Sequence, residues 1–85
     1  MIIYKIIIPK KVIKQIERIP LVYRQKIRKT IAFLSQDPFL GKKLEGELKN
    51  NRSIRIWPYR IIYQVYKKEV IILILSVSHR QGVYK

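Results

Sequence analysis

The chain contains no cysteine and only one histidine among its 85 residues. Without cysteine there is neither a disulfide framework nor a thiol nucleophile, and one histidine cannot supply the ligands of a zinc site. We therefore expect a protein of a reducing, cytoplasmic compartment that needs no metal or other cofactor. The apolar residues 2–8 are interrupted by Lys5 and are too short to span a bilayer, so they are better interpreted as a strand than as a membrane segment.

Acidic residues are also scarce: five Asp and Glu stand against 19 Lys and Arg, which gives a formal net charge of +14. Such a chain cannot neutralise itself, so an external polyanion is the expected partner. A merely soluble basic surface is the alternative, although a net charge of about 2–8 is usual for a small domain. Residues 1–85 are expected to form one domain, and a domain of this size hides only about 60% of its unfolded surface.

Two amphipathic helices are predicted from apolar residues at helical spacing. The first follows Pro9 and ends near Pro20, and the second ends at Asp37-Pro38. Their short link makes them a helical hairpin. The apolar stripes consist of Val12, Ile13, Ile16 and Ile19 in the first helix and of Tyr23, Ile27, Ile31 and Leu34 in the second.

Three strand-like runs, at about 52–57, 59–66 and 70–78, follow a polar segment at 41–51 that is expected to be a loop. The last run is apolar on both faces, as expected for a central strand. The order β-α-α-β-β-β predicts an α+β domain with a small twisted sheet, built from the N-terminal strand and a three-stranded antiparallel meander. The helical hairpin should cover one face and leave the other free for binding.

Basic residues recur on the second helix, where Arg24 and Arg28 are four apart and Lys26 and Lys29 three apart. Like charges at these spacings destabilise a helix by a few tenths of a kcal/mol each. A solvated helix face and a phosphate-facing surface are the two interpretations of this pattern. The candidate RNA-binding residues are Lys26, Arg28, Lys29, Lys42, Lys43 and Arg52.

The strands themselves carry arginines. If Trp57-Pro58 is a tight turn, Arg55 faces Arg60 on the neighbouring strand. Like charges directly opposite on a sheet are unfavourable, so this arrangement favours a phosphate between them. Proline as the second central residue of such a turn requires either a cis peptide bond or a longer loop.

The next connection decides which residue joins this face. A three-residue loop places Arg80 on the face of Arg60, whereas a two-residue loop places His79 there. RNA cleavage requires a deprotonated ribose 2′-hydroxyl, a stabilised phosphate and a protonated leaving oxygen. Arginine is suited to stabilising the phosphate, and a histidine, lysine or tyrosine is suited to deprotonating the 2′-hydroxyl. Tyr84, close to the end of the chain, is a candidate for stacking on a base.

Several motifs in this order resemble the RelE/ParE superfamily of bacterial and archaeal toxin–antitoxin systems. They are Asp37-Pro38, GKKLEG at 41–46, IRIWPYRIIY at 54–63 and HRQGVYK at 79–85. The last of them is similar to the RelE branch, whose members cut messenger RNA without metal, commonly in the ribosomal A site. The resemblance implies a RelE-like fold and an mRNA endoribonuclease that inhibits translation.

The resemblance also implies roles for the candidate catalytic residues. It assigns Arg60 and Arg80 to the scissile phosphate, and it assigns Tyr84 to orienting or stacking the substrate, with proton transfer as a candidate role. Arg55 stands at a basic position that is often lysine in the family. Because arginine stays protonated, the general base is open, and His79 is the alternative. The Trp57-Pro58 turn replaces a glycine-containing turn common in the family.

The partners implied by the resemblance are a cognate antitoxin with an acidic or amphipathic segment, messenger RNA and ribosomal RNA, without a membrane. Two other functions compete with RNA cleavage. One is a ParE-like poison of DNA gyrase, which acts by binding and does not need Arg80 and Tyr84. The other is a non-catalytic RNA-binding module that relies on charge alone.

Overall fold

The computed structural model describes residues 2–44 and 50–80. Both predicted helices and all four predicted strands are present, together with one further short strand. The helices are α1 (Lys10–Glu17) and α2 (Leu21–Leu34), and the strands are β1 (Lys5–Ile7), β2 (Lys42–Lys43), β3 (Asn51–Ile56), β4 (Tyr59–Tyr66) and β5 (Ile71–His79).

Proline precedes each helix. The carbonyl of Pro9 accepts hydrogen bonds from the N–H groups of Val12 and Ile13, and the carbonyl of Pro20 does the same for α2. A proline has no N–H to leave unsatisfied at a helix start, so both residues suit this position. None of the helices in the described part of the chain is long and apolar enough to cross a membrane.

The five strands form one mixed sheet in the order β1-β5-β4-β3-β2. β1 pairs with β5 in parallel, and all other neighbours are antiparallel. β5 is an interior strand between β1 and β4, which agrees with the prediction drawn from its two apolar faces. β2 lies inside the segment that we predicted to be a loop, because a two-residue strand has no periodicity that a sequence pattern can reveal.

Both helices pack on the same face of the sheet, which confirms the α+β architecture. The buried core joins apolar residues of α1 and α2 to inward-facing residues of β4 and β5. Residues of the helix-covered face alternate along each strand with residues of the opposite face. The core consists of Val12, Ile16, Ile19, Ile27, Ile31, Leu34, Ile61, Tyr63, Ile72, Ile74 and Val77.

The connection from β4 to β5 is a four-residue turn at 67–70. Val70 closes this turn with a φ of 59° and is therefore outside β5, which begins one residue later than predicted. A register shift follows within the β4–β5 ladder: Tyr63 pairs with Ile74, but Ile62 pairs with Ser76. Leu75 is therefore an extra residue in β5, as in a β-bulge.

Candidate nucleic-acid interface

Arg55 of β3 and Arg60 of β4 are directly opposite each other in the sheet. The Trp57-Pro58 peptide bond is cis and joins the two strands in a two-residue turn, which confirms the predicted pairing. Opposite residues in an antiparallel pair have Cβ atoms about 4.5–5.5 Å apart, so two cationic side chains leave the same face together. No Asp or Glu lies on β3, β4 or β5.

The bulge in β5 decides which residue joins this pair. Because of it, Arg60 pairs with Ser78, and Tyr59 pairs with His79. Side chains two residues apart share a face, so the face of Arg60 includes Ser78. Arg80 follows the end of β5, and its N–H donates to the carbonyl of Pro58 in the turn that joins β3 and β4. The turn is longer than either predicted loop, but the bulge brings even-numbered residues of β5 onto the face of Arg60, as in the three-residue alternative, although the paired residue is shifted by two.

His79 lies on the helix-covered side instead. Its ring meets that of Tyr59 edge-on, with the centroids 5.5 Å apart. The ring of Tyr59 is in turn 5.5 Å from that of Tyr23 on α2. The structure thus places His79 at the edge of an aromatic cluster between sheet and helix, on the opposite face from Arg55 and Arg60. A direct role for His79 beside the arginines does not fit this register.

A groove of about 740 Å³ runs along β3 next to the arginines. Both Arg55 and Arg60 line it, and α2 contributes Thr30 to it. β2 pairs only with residues 52–53 of β3, so the groove follows the part of β3 that extends beyond β2. Its remaining lining residues are Leu40, Gly41, Lys42, Leu44, Ser53, Ile54 and Ile56.

Three of the predicted RNA-binding residues are near this groove, but they differ in role. Lys42 lines the groove, and the neighbouring Lys43 is exposed on the same short strand. Arg52 instead stabilises the loop before β2: its Nη1 donates to the carbonyl of Gly41 at 2.8 Å, and its guanidinium lies 4.8 Å from the ring centroid of Phe39. The sequence did not predict this structural role of Arg52.

The basic residues of α2 do not form one surface. Thr30, which lines the groove, donates its hydroxyl hydrogen bond to the carbonyl of Lys26, so Lys26 lies one turn away on the groove side. Arg28 lines a separate apolar depression, with Ile6 and Ile13 among its neighbours. Lys29 is exposed on the outer side of the helix.

Part of the predicted site lies outside the described residues. This applies to Tyr84 and to the rest of the C-terminal motif after Arg80, as well as to residues 45–46 of the GKKLEG motif. Thr30 and Leu40, by contrast, line the groove without having been predicted. No sequence pattern indicates them, because only the packing of α2 and the 38–41 loop against β3 brings them there.

Comparison with known proteins gives a family assignment. Residues 6–84 match the family described as the ParE toxin of the type II toxin–antitoxin system parDE, and the chain therefore belongs to this family within the RelE/ParE superfamily. Toxin RelG of Mycobacterium tuberculosis is 36% identical to this chain over 53 residues. That alignment spans 61% of this chain and 61% of RelG, which is less than two thirds of the relative.

Solved structures of RelBE systems share the fold. A chain of the toxin–antitoxin complex RelBE2 from Mycobacterium tuberculosis superposes with a TM-score of 0.82 at 26% identity, covering 94% of both chains. A chain of the archaeal RelE–RelB complex from Pyrococcus horikoshii has a TM-score of 0.79 at 27% identity, covering 93% of this chain and 97% of that one. The isolated Escherichia coli RelE toxin has a TM-score of 0.78 at 20% identity, covering 95% of this chain and 96% of that one. At this identity the likeness concerns the fold alone.

Proposed function

We propose that this chain is the toxin of a type II toxin–antitoxin system and that it is an endoribonuclease cleaving messenger RNA on the ribosome. The observation that supports this most is the cross-strand pair of Arg55 and Arg60, with Arg80 held against the turn that joins their two strands. Arg55 and Arg60 lie on strands without acidic residues, and Arg80 follows the last strand, so positive charge is concentrated here in a way that favours binding of an external phosphate. The groove beside them provides room for the nucleotide that carries it.

In the proposed reaction the ribose 2′-oxygen attacks the adjacent phosphorus, and the bond from phosphorus to the 5′-oxygen breaks. The 2′-hydroxyl proton leaves to a base, and the 5′-oxygen takes up a proton. Arg60 and Arg80 donate hydrogen bonds to the phosphate oxygens, on which negative charge accumulates in the transition state. Tyr84 is proposed to orient or stack the substrate.

Primer extension on messenger RNA bound to ribosomes tests this proposal. We expect new cleavage ends with the wild-type chain and a loss of at least about a hundredfold in rate for Arg60→Ala and for Arg80→Ala. Arg18→Ala is the matched control, since this arginine is exposed at the end of α1 and away from the strands, and it should cleave normally. Circular dichroism would verify that the variants fold. Undiminished cleavage by both strand variants would overturn the site.

A second candidate function is inhibition of DNA gyrase, which is favoured by the match to the ParE toxin family. Under this alternative the chain acts by binding and does not need Arg80. A supercoiling assay without ribosomes distinguishes the two. Inhibition by both the wild type and Arg80→Ala would replace the proposed nuclease function. RNA binding that weakens with salt, without cleavage on programmed ribosomes, would indicate a non-catalytic RNA-binding module instead.

We also propose an antitoxin as the protein partner. Several matched structures are complexes of RelE with RelB. A net charge of +14 favours a partner segment that is acidic or amphipathic and that relieves the self-repulsion of this chain. The melting temperature should therefore rise when the cognate antitoxin is added. Equal melting temperatures for the isolated chain and the mixture would contradict this partner.

A further inference from the structure

The Trp57-Pro58 turn contacts Arg80 at two points. The guanidinium carbon of Arg80 lies 4.6 Å from the centroid of the Trp57 ring. The backbone N–H of Arg80 also donates a hydrogen bond of 2.8 Å to the carbonyl of Pro58. The turn between β3 and β4 thus restrains both the main chain and the side chain of the residue that follows β5.

A cation–π contact of this kind leaves the N–H donors of Arg80 able to bind another group. A guanidinium stacks on an indole through its planar face, whereas its N–H donors point outward in the plane. A carboxylate partner would instead occupy those donors and neutralise the charge. An aromatic ring is therefore suited to orient an arginine that must still bind a phosphate.

Core packing does not explain why tryptophan stands in this turn. The Trp57 side chain is 62% exposed and is not a member of the buried core. Large exposed aromatic groups gain little free energy from burial. The contact with Arg80 provides a function for the ring that burial does not.

We propose that Trp57 is a positioning residue that holds the Arg80 guanidinium for the phosphate of RNA bound beside Arg55 and Arg60. The inference rests on the proposed function for the identity of the ligand, but the contact between Trp57 and Arg80 is independent of it. Trp57 acts through Arg80 and not on the substrate directly. Its effect should consequently disappear when Arg80 is absent.

Fluorescence tests the contact without any RNA, because Trp57 is the only tryptophan of the chain. Quenching by acrylamide, a neutral molecule, depends on how much of the indole is accessible. Arg80→Ala should increase the quenching constant, since it uncovers one face of the ring. Arg55→Ala, on the same face of the sheet, is the matched control and should leave it unchanged. Equal constants for the wild type and Arg80→Ala would overturn the proposal.

A double-mutant cycle tests the positioning role. The probe is a short RNA oligonucleotide with 2′-O-methyl groups, which binds but cannot be cleaved. Trp57→Leu should weaken its binding about 2- to 30-fold, the range expected for loss of a cation–π contact, and Trp57→Phe should retain most of the affinity. In the Arg80→Ala background, Trp57→Leu should change the affinity less than about twofold.

Each outcome of the cycle has a distinct meaning. If the two losses multiply, Trp57 contacts the RNA independently, and the positioning role is wrong even though RNA binding is correct. If the wild-type chain binds and cleaves no RNA, the proposed function and the positioning role fail together. Cleavage of natural RNA provides a further readout: Trp57→Leu should lower kcat as well as kcat/KM, because the restrained guanidinium donates to the phosphate in the transition state as well as in the bound RNA.

Discussion

The backbone N–H of Gly41 donates a hydrogen bond of 2.8 Å to the hydroxyl of Tyr63, which comes 22 residues later in the chain. That hydroxyl in turn donates to the carbonyl of Pro38 at 2.9 Å. Tyr63 is fully buried on β4, so one side chain of the core fixes the loop that leads into β2. The same loop contributes Leu40 and Gly41 to the groove beside the arginines.

Tyr63→Phe should lower the free energy of unfolding by about 1–3 kcal/mol, because it leaves the buried N–H of Gly41 without its partner. Urea denaturation measures this difference. Tyr66→Phe is the matched control on the same strand. Tyr66 is 41% exposed, and removal of its hydroxyl should lower the free energy of unfolding by less than about 0.5 kcal/mol. Equal effects of the two substitutions would show that the Tyr63 hydroxyl does not stabilise the loop.

The Tyr63 hydroxyl should also make stability depend on pH. Burial raises the pKa of Tyr63 above its ordinary value of 10.0. Above that pH the unfolded chain loses the phenol proton while the folded chain keeps it, so the free energy of unfolding falls as pH rises. The stability advantage of the wild type over Tyr63→Phe should therefore shrink between about pH 8 and about pH 11. A constant advantage over this range would contradict the prediction.

Gly41→Ala should destabilise the fold because the added methyl group has no room. A Cβ at Gly41 would lie 2.8 Å from the Tyr63 hydroxyl and 2.9 Å from Cγ1 of Ile54. Overpacking of this kind costs about 1–3 kcal/mol, as measured by urea denaturation. Because Cε1 of the Tyr63 ring would also lie 2.9 Å away, most of this cost should remain in the Tyr63→Phe background. A free energy of unfolding for Gly41→Ala equal to that of the wild type would contradict this steric explanation.

Gln15 of α1 should stabilise β5 through a single hydrogen bond. Its Oε1 accepts the backbone N–H of Val77 at 3.0 Å, in the part of β5 that extends beyond its pairing with β1. Gln15→Ala should cost about 1 kcal/mol in thermal or urea unfolding. Gln15→Glu keeps the acceptor and should retain most of this stability. Equal losses for both variants would assign the effect to packing of the side chain instead.

Arg55→Lys should raise the cleavage rate if the proposed function is correct. Arginine stays protonated and cannot accept the 2′-hydroxyl proton, whereas a lysine ammonium opposite the guanidinium group of Arg60 loses its proton more readily. Primer extension as a function of pH measures the change, and general-base catalysis typically contributes about 10²–10⁴-fold. Arg55→Gln is the control without a titratable group. Equal rates for both variants would show that no base is needed at this position.

The arrangement of the candidate site could be predicted only in part. The pairing of Arg55 with Arg60 follows from a two-residue turn and the alternation of side chains, both of which are visible in the sequence. The choice between His79 and Arg80 was left open, because it depends on the turn at 67–70 and on the bulge at Leu75. A bulge has no reliable sequence signal, and a shift of one residue exchanges the two faces of a strand.

The sequence by itself determined the class of fold, the interior position of β5 in the sheet and the cationic character of the surface. These properties depend on local periodicity and on charge, which need no knowledge of distant contacts. Only the tertiary structure decided that Arg52 supports a loop, that Lys26 and Arg28 lie on different sides of α2, and that Trp57 contacts the guanidinium of Arg80. Each of these depends on which distant segments pack together, and the packing is set by the core as a whole.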